Sequence, residues 1–212
     1  MKYLLFLSLM LALVACNTTA DKPTEITKTI DYEALKAELE TIHETDQKYR
    51  LQITQSKTFD AELVAKMNQT DSINQIRMIE ILDEYGWLPK SKIGETAADA
   101  LFLVIQHSPK TVMRKYMDEL KAQAKAGEAS KMHAAMMEDR LLMYEGKKQI
   151  YGSQATSYMD GTQGYFIWPI KETATVNARR KVAGFSNTIE EYAESMGATY
   201  DPNESLPDET LF

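Results

Sequence analysis

Gly94-Glu95-Thr96-Ala97-Ala98-Asp99-Ala100-Leu101-Phe102-Leu103-Val104-Ile105-Gln106-His107-Ser108-Pro109 is the stretch that decides the fold. Between Ala97 and Ile105 only Asp99 is polar, so a helix here is apolar nearly all round and needs cover on most of its sides. Glycine opens the stretch and Ser108-Pro109 closes it, which sets the helix from Gly94 or Glu95 to Gln106. A central, well-buried helix requires other helices around it, and the flanking sequence supplies them.

Upstream, Asp31 is a suitable N-cap, and Leu35, Leu39, Ile42, Tyr49 and Ile53 keep the four-three spacing of one helix face. A second helix is predicted over Asp60 to Tyr85, with Leu63, Met67, Ile73, Ile76 and Ile79 inward, ending at Gly86-Trp87-Leu88-Pro89. Downstream, helices over Lys110 to Lys125 and Glu128 to Tyr144 are separated by Gly127, and the second closes at Glu145-Gly146. The pattern then changes. Gln149 to Ser153 and Tyr165 to Ile170 are rich in aromatic and β-branched residues, with Asp160-Gly161-Thr162-Gln163-Gly164 between them, which predicts a β-hairpin. Short helices over Thr175 to Ala183 and Thr188 to Met196 follow. The expected architecture is mainly α: a single-domain multi-helix bundle over residues 31–197 with a small β-hairpin in its C-terminal third. Residues 198–212 read as a tail.

The N-terminus reads as an address. Lys2 precedes an apolar run from Tyr3 to Val14, too short to span a bilayer, and Leu13-Val14-Ala15-Cys16 closes it. This resembles a bacterial lipoprotein signal over residues 1–15, in which Cys16, the single cysteine of the chain, is acylated. Residues 16–30 would then be the lipidated cysteine and a flexible tether, rich in Thr, Lys, Asp and Glu. The expected location is the bacterial cell envelope, with the membrane as a partner through the lipid at Cys16. With that thiol acylated, disulfides, cysteine-ligated metals and thiolate nucleophiles drop out. The net charge of −7 opposes nucleic-acid binding. No cofactor is implied.

Polar residues stand where the helical pattern calls for apolar ones. Position 46 continues the seam of the first helix and is Asp; Arg50 lies one turn on and His43 one turn back. Position 139 continues a Met132, Met136, Met143 seam and is also Asp, with Arg140 beside it. His107 leaves the central helix on the face of Ala100, Leu103 and Val104. An ionised carboxylate buried alone costs several kcal/mol or more, so each Asp must be paired, bind a cation or line a polar cavity. A core Asp–Arg pair or a histidine bonded to a carbonyl would explain each residue singly. Together with Arg180 they point to one shared polar cluster. In the predicted hairpin, alternation puts Gln149, Tyr151 and Ser153 on one face and Ile150, Gly152 and Gln154 on the other. Gly152 admits a close approach there.

Asp46-Gln47 with Arg50, Gly86-Trp87-Leu88-Pro89, Gln106-His107, Asp139-Arg140, Gln149 with Tyr151-Gly152-Ser153-Gln154, Pro169-Ile170 and Arg179-Arg180 carry a family resemblance. In order and spacing they resemble the bacterial DUF6624 family, a domain of unknown function, over most of residues 32–195. The chain departs from the family pattern at Ser153, where threonine is usual, and at Leu88, which lengthens the Gly-Trp-Pro turn. The resemblance implies no activity, substrate or cofactor.

Two functional classes remain. One is a binding module for an unknown small molecule, peptide or protein, using the polar hairpin face. The other is a hydrolase-like enzyme, with His107, Asp46 and Asp139 as catalytic candidates and Arg50, Arg140, Gln149, Tyr151, Gln154 and Arg180 as ligand-binding candidates. A metal held by Asp46, His107 and Asp139 is a third reading, weakened by the lack of any local ligand spacing.

Overall fold

Asp31 and Asp60 start the first two helices because each carboxylate takes an N–H that the first turn leaves free. In the computed structural model, which describes residues 29–56, 59–157 and 164–207, helix α1 spans Tyr32–Gln55 and α2 spans Ala61–Tyr85. Asp31 accepts from the Ala34 N–H at 3.0 Å, and Asp60 from those of Glu62 and Leu63 at 2.9 and 3.1 Å. Cys16, nearly all of the tether and residues 160–163 of the hairpin loop lie outside the described residues. A one-turn helix α3, Lys90–Ile93, leads into α4, Glu95–Gln106. Helices α5, Lys110–Ala126, and α6, Lys131–Tyr144, form the next hairpin. No described helix is long and apolar enough to cross a membrane.

Helix α4 occupies the centre, as its all-round apolar character requires. Ala97, Ala100, Leu101 and Ile105 are fully buried, and α4 packs most extensively on α1 while touching α2, α5 and α6. Helix α6 starts three residues later than Glu128, where Ser130 caps the His133 N–H at 3.3 Å. The residues before it serve another purpose. The Glu128 and Ala129 N–H groups donate to the Gln123 carbonyl, and Glu128 in turn accepts from the N–H groups of Lys90 and Ser91, both at 2.9 Å. The α5–α6 turn is thereby pinned to α3.

Of the five residues predicted inward on α2, Ile79 packs on the core and Leu63 and Met67 are half-buried, but Ile73 and Ile76 face out. Ile73 and Ile76 are 61% and 63% exposed, while Asn74, Met78, Ile81 and Leu82 are buried. The inward face also carries polar groups, where Asn74 reaches Thr45 Oγ1 at 3.3 Å and Asp71 receives Arg50. Replacing Ile76 by Gln is therefore expected to change stability by less than about 0.5 kcal/mol, as for other exposed sites. A core isoleucine would cost several times that, so an equilibrium denaturation curve distinguishes the two placements.

The C-terminal third holds a three-stranded sheet in the order β1-β2-β3. Strands β1, Ala155–Ser157, and β2, Tyr165–Ile167, are antiparallel with Ala155 opposite Ile167, and β3, Ala198–Thr199, runs parallel to β2. The second strand lies within the predicted Tyr165 to Ile170. The first does not match: Gln149 to Ser153 is an irregular loop with one bridge, Gln149 to Ile170. Helices α7, Val176–Ala183, and α8, Ile189–Ser195, follow, the latter opened by a Thr188/Glu191 capping box. Ile167, Ile170, Val176, Ile189 and Ala193 form a second, smaller core beneath them.

Candidate functional site

Three helix seams turn from apolar to polar at one level of the bundle. On α1, Leu35, Leu39 and Ile42 give way to Asp46; on antiparallel α2, Leu82, Ile81 and Met78 give way to Asn74 and Asp71; α4 ends its apolar run in His107. At that level a cleft of about 250 Å³ opens. Asp46 from α1, Asp71, Ser72 and Gln75 from α2, and His107 and Ser108 at the end of α4 line it.

Asp46 is 2% exposed. Its Oδ2 accepts from Gln47 Nε2 at 2.8 Å and from Arg50 Nε at 3.4 Å. Its Oδ1 lies 3.5 Å from His107 Nδ1, and neither of these two buried atoms makes a hydrogen bond to the described residues. Burial pushes the Asp46 carboxyl up, but the neighbouring imidazole, Arg50 and Gln47 outweigh it and hold the group below its ordinary value. Arg50 is fixed from the other side, because its Nη2 reaches both oxygens of Asp71 at 2.8 Å. The His107 side chain is 24% exposed. Nδ1 is buried against Asp46, and the side chain lines the cleft. An imidazole with a carboxylate 3.5 Å from one nitrogen, partly exposed on a cleft wall, is an arrangement that can move a proton.

Asp139 lies elsewhere and does different work. It is fully buried on α6 and accepts from the N–H of Ile150 at 2.7 Å, of Tyr151 at 3.1 and 3.2 Å and of Ser153 at 3.0 Å, and from Ser153 Oγ at 2.9 Å. Burial raises its carboxyl, and these donors act against that rise. They also explain why residues 149–153 form no strand: the backbone curls around a carboxylate, with Gly152 at φ 72°. Gln149 completes the loop, donating from Nε2 to the carbonyls of Gln154 and Trp168 and accepting the Gln154 N–H at Oε1. Gln154 Nε2 donates to the Met136 carbonyl and Ser153 Oγ. Arg180, 1% exposed, donates to Asn187 and to the Tyr151 carbonyl, with its guanidinium over the rings of Phe185 and Tyr192.

The structure thus separates the candidates into two clusters. Asp46, Arg50 and His107 share the cleft, whereas Asp139, Gln149, Gln154 and Arg180 hold the loop. Arg140 spans both, donating from Nε to Gln154 Oε1 at 2.8 Å and from Nη1 to the Gln106 carbonyl at 2.9 Å. Tyr151 stands apart from the cleft, on an open groove between α6 and α7. Asp139 does not join Asp46 and His107, and among the described residues no three His, Cys, Asp or Glu side chains come together to hold a metal. Asp71 belongs to the cleft and was not singled out from sequence. Its signal was there: it lies three and seven residues before Asn74 and Met78, on the face that pairs with the Asp46 seam.

No curated protein and no solved structure matches the chain. The family described as a family of unknown function, DUF6624, matches residues 33–202, a span that includes every residue of the cleft and of the Asp139 loop. On that match the chain belongs to the DUF6624 family.

Proposed function

We propose that the protein is a lipid-anchored bacterial envelope protein that performs acid–base chemistry on a small polar molecule in the α1–α2–α4 cleft. His107 moves the proton and Asp46 positions it. The observation carrying this reading is the pairing of a buried, otherwise unbonded Asp46 Oδ1 with His107 Nδ1 in a cleft walled by serine, glutamine and aspartate side chains. Such walls suit a hydroxyl- or amide-bearing substrate. The cleft is favoured over the hairpin face because Asp46 Oδ1 and His107 Nδ1 are left without a hydrogen bond, whereas Gln149 and Gln154 engage their amides with the protein's own backbone and with Arg140. The lipid anchor is supported by Lys2, the apolar run to Val14 and the box ending in Cys16.

His107→Ala tests the proton-transfer role. Its unfolding free energy is expected to change by less than about 1 kcal/mol, because the ring makes no hydrogen bond that the fold depends on. The Asp46 carboxyl, followed by carbon NMR, is expected to titrate higher in the variant, since a group that holds it down is gone. Against a panel of amino sugars and short peptides, turnover should fall by about 10²- to 10⁴-fold. A stability loss of about 2 kcal/mol or more, or an unmoved Asp46 titration, would assign His107 to the scaffold instead.

A further inference from the structure

A second concavity, of about 570 Å³, lies between α5, α6 and α7, and the cleft chemistry makes no use of it. Its floor is carbon. Ala124, Ala134, Ala135, Ala178 and Ala183 line it, and Val182 stands at its edge 80% exposed. Its charged lining is mostly cationic: Lys121, Lys125, Lys131 and Arg179 against the single carboxylate of Glu138. Lys121 pairs with Glu138 at 2.8 Å. Lys125 and Lys131 pair with no carboxylate among the described residues, and Arg179 spends its N–H groups on the carbonyls of Ile150, Lys171 and Glu172 and on Thr175 Oγ1. In a chain of net charge −7, a positive rim around an apolar floor is a local reversal of sign.

The rim also has a defined place relative to the N-terminal segment. Lys125 is in the last turn of α5 and Lys131 opens α6. The turn between them is pinned to α3 through Glu128, and Lys92 of α3 lies over the ring of Tyr32, the first residue of α1, at 6.0 Å. The chain therefore joins the domain at the end of the bundle that carries Lys125 and Lys131. If Cys16 is acylated as proposed above, that end is the one to which the membrane tether attaches.

We infer that the groove binds a single-chain anionic lipid of the fatty-acid type, its alkyl chain along the alanine floor and its acid group between Lys125 and Lys131. The volume falls in the range of about 300–1,000 Å³ that small-molecule sites occupy. An alkyl chain loses nothing by leaving water for a carbon floor, whereas peptide amides laid there would lose hydrogen bonds without replacement. The location argument rests on the anchoring reading; the groove's chemistry does not.

The test uses the mature chain, residues 16–212, carrying Cys16→Ser, so that neither an attached acyl group nor the apolar signal segment competes, with palmitate as the probe in a calorimetric titration. One palmitate per chain is expected. Ala178→Trp and, as a second groove-filling variant at an exposed position, Val182→Trp should each weaken binding by about tenfold or more. The pair Lys125→Glu and Lys131→Glu should weaken palmitate by a similar factor and leave hexadecanol, which has no charge, unchanged. Absence of palmitate binding, binding indifferent to both tryptophans, or binding of an acidic amphipathic peptide in palmitate's place would overturn the inference. Incorporation of labelled palmitate at Cys16 of the unaltered chain reports on the anchor separately, so failure there leaves the groove result standing.

Discussion

Replacing Asp139 by alanine is expected to destabilise the domain by about 3–5 kcal/mol, the largest effect of any single substitution considered. The carboxylate is fully buried and is the acceptor for four groups, the N–H of Ile150, Tyr151 and Ser153 and the hydroxyl of Ser153. Removing it leaves several buried donors facing one another around a cavity, and each unsatisfied donor costs about 1–3 kcal/mol before the loop relaxes. For a domain of this size the melting temperature should fall by on the order of 10 °C. Asp139→Asn sharpens the result. Asparagine keeps the volume but turns one acceptor into a donor aimed at donors, so most of the loss should persist. Recovery of wild-type stability in Asp139→Asn would show that volume, and not hydrogen bonding, makes the site. Thermal and urea denaturation of the two variants decide it.

Gly152→Ala comes second, at about 2–4 kcal/mol. Gly152 sits at φ 72°, and a Cβ there would stand 2.6 Å from Ile189 Cδ1 and 2.7 Å from Ile170 Cδ1. Two penalties combine, left-handed backbone and an overfilled second core. Gly146, at φ 65° with nothing within 4 Å of a built Cβ, isolates the first of them. Gly146→Ala should cost about 1 kcal/mol, and equal losses at the two positions would refute the packing argument. The substitution also tests the Asp139 loop from its far side, because Gly152 lies among the residues whose N–H groups that carboxylate gathers.

Helix positions were legible because their signals are local. Asp31 caps where its side chain suggests, the second helix starts within one residue of Asp60, Gly86 ends α2, and the all-round apolar character of Ala97 to Ile105 places α4 at the centre. The errors arose where a distant residue decides. Helix α2 presents Asp71 and Asn74 inward and leaves Ile73 and Ile76 in solvent because Arg50 and Thr45 on α1 bond the polar pair; those two isoleucines alone point the other way. Residues 149–153 have strand composition, yet a carboxylate more than ten positions earlier takes their N–H groups. Helix α3 is a single turn, too short to show a period. Within the site, Asp46 and His107 announced themselves by interrupting apolar seams, while Asp71 was hidden by the isoleucines beside it. Asp139 announced itself equally strongly, and its interruption serves the loop.

Arg140 ties the loop to the cleft. Its guanidinium holds the side chain of Gln154 with one nitrogen and the carbonyl of Gln106 with another, and Gln106 immediately precedes His107. The two clusters accordingly share one free-energy account. If a molecule in the cleft shifts the Gln106 carbonyl, Arg140 is the group through which the loop would register it. Any such coupling would be reciprocal, the loop acting on affinity in the cleft by the same factor.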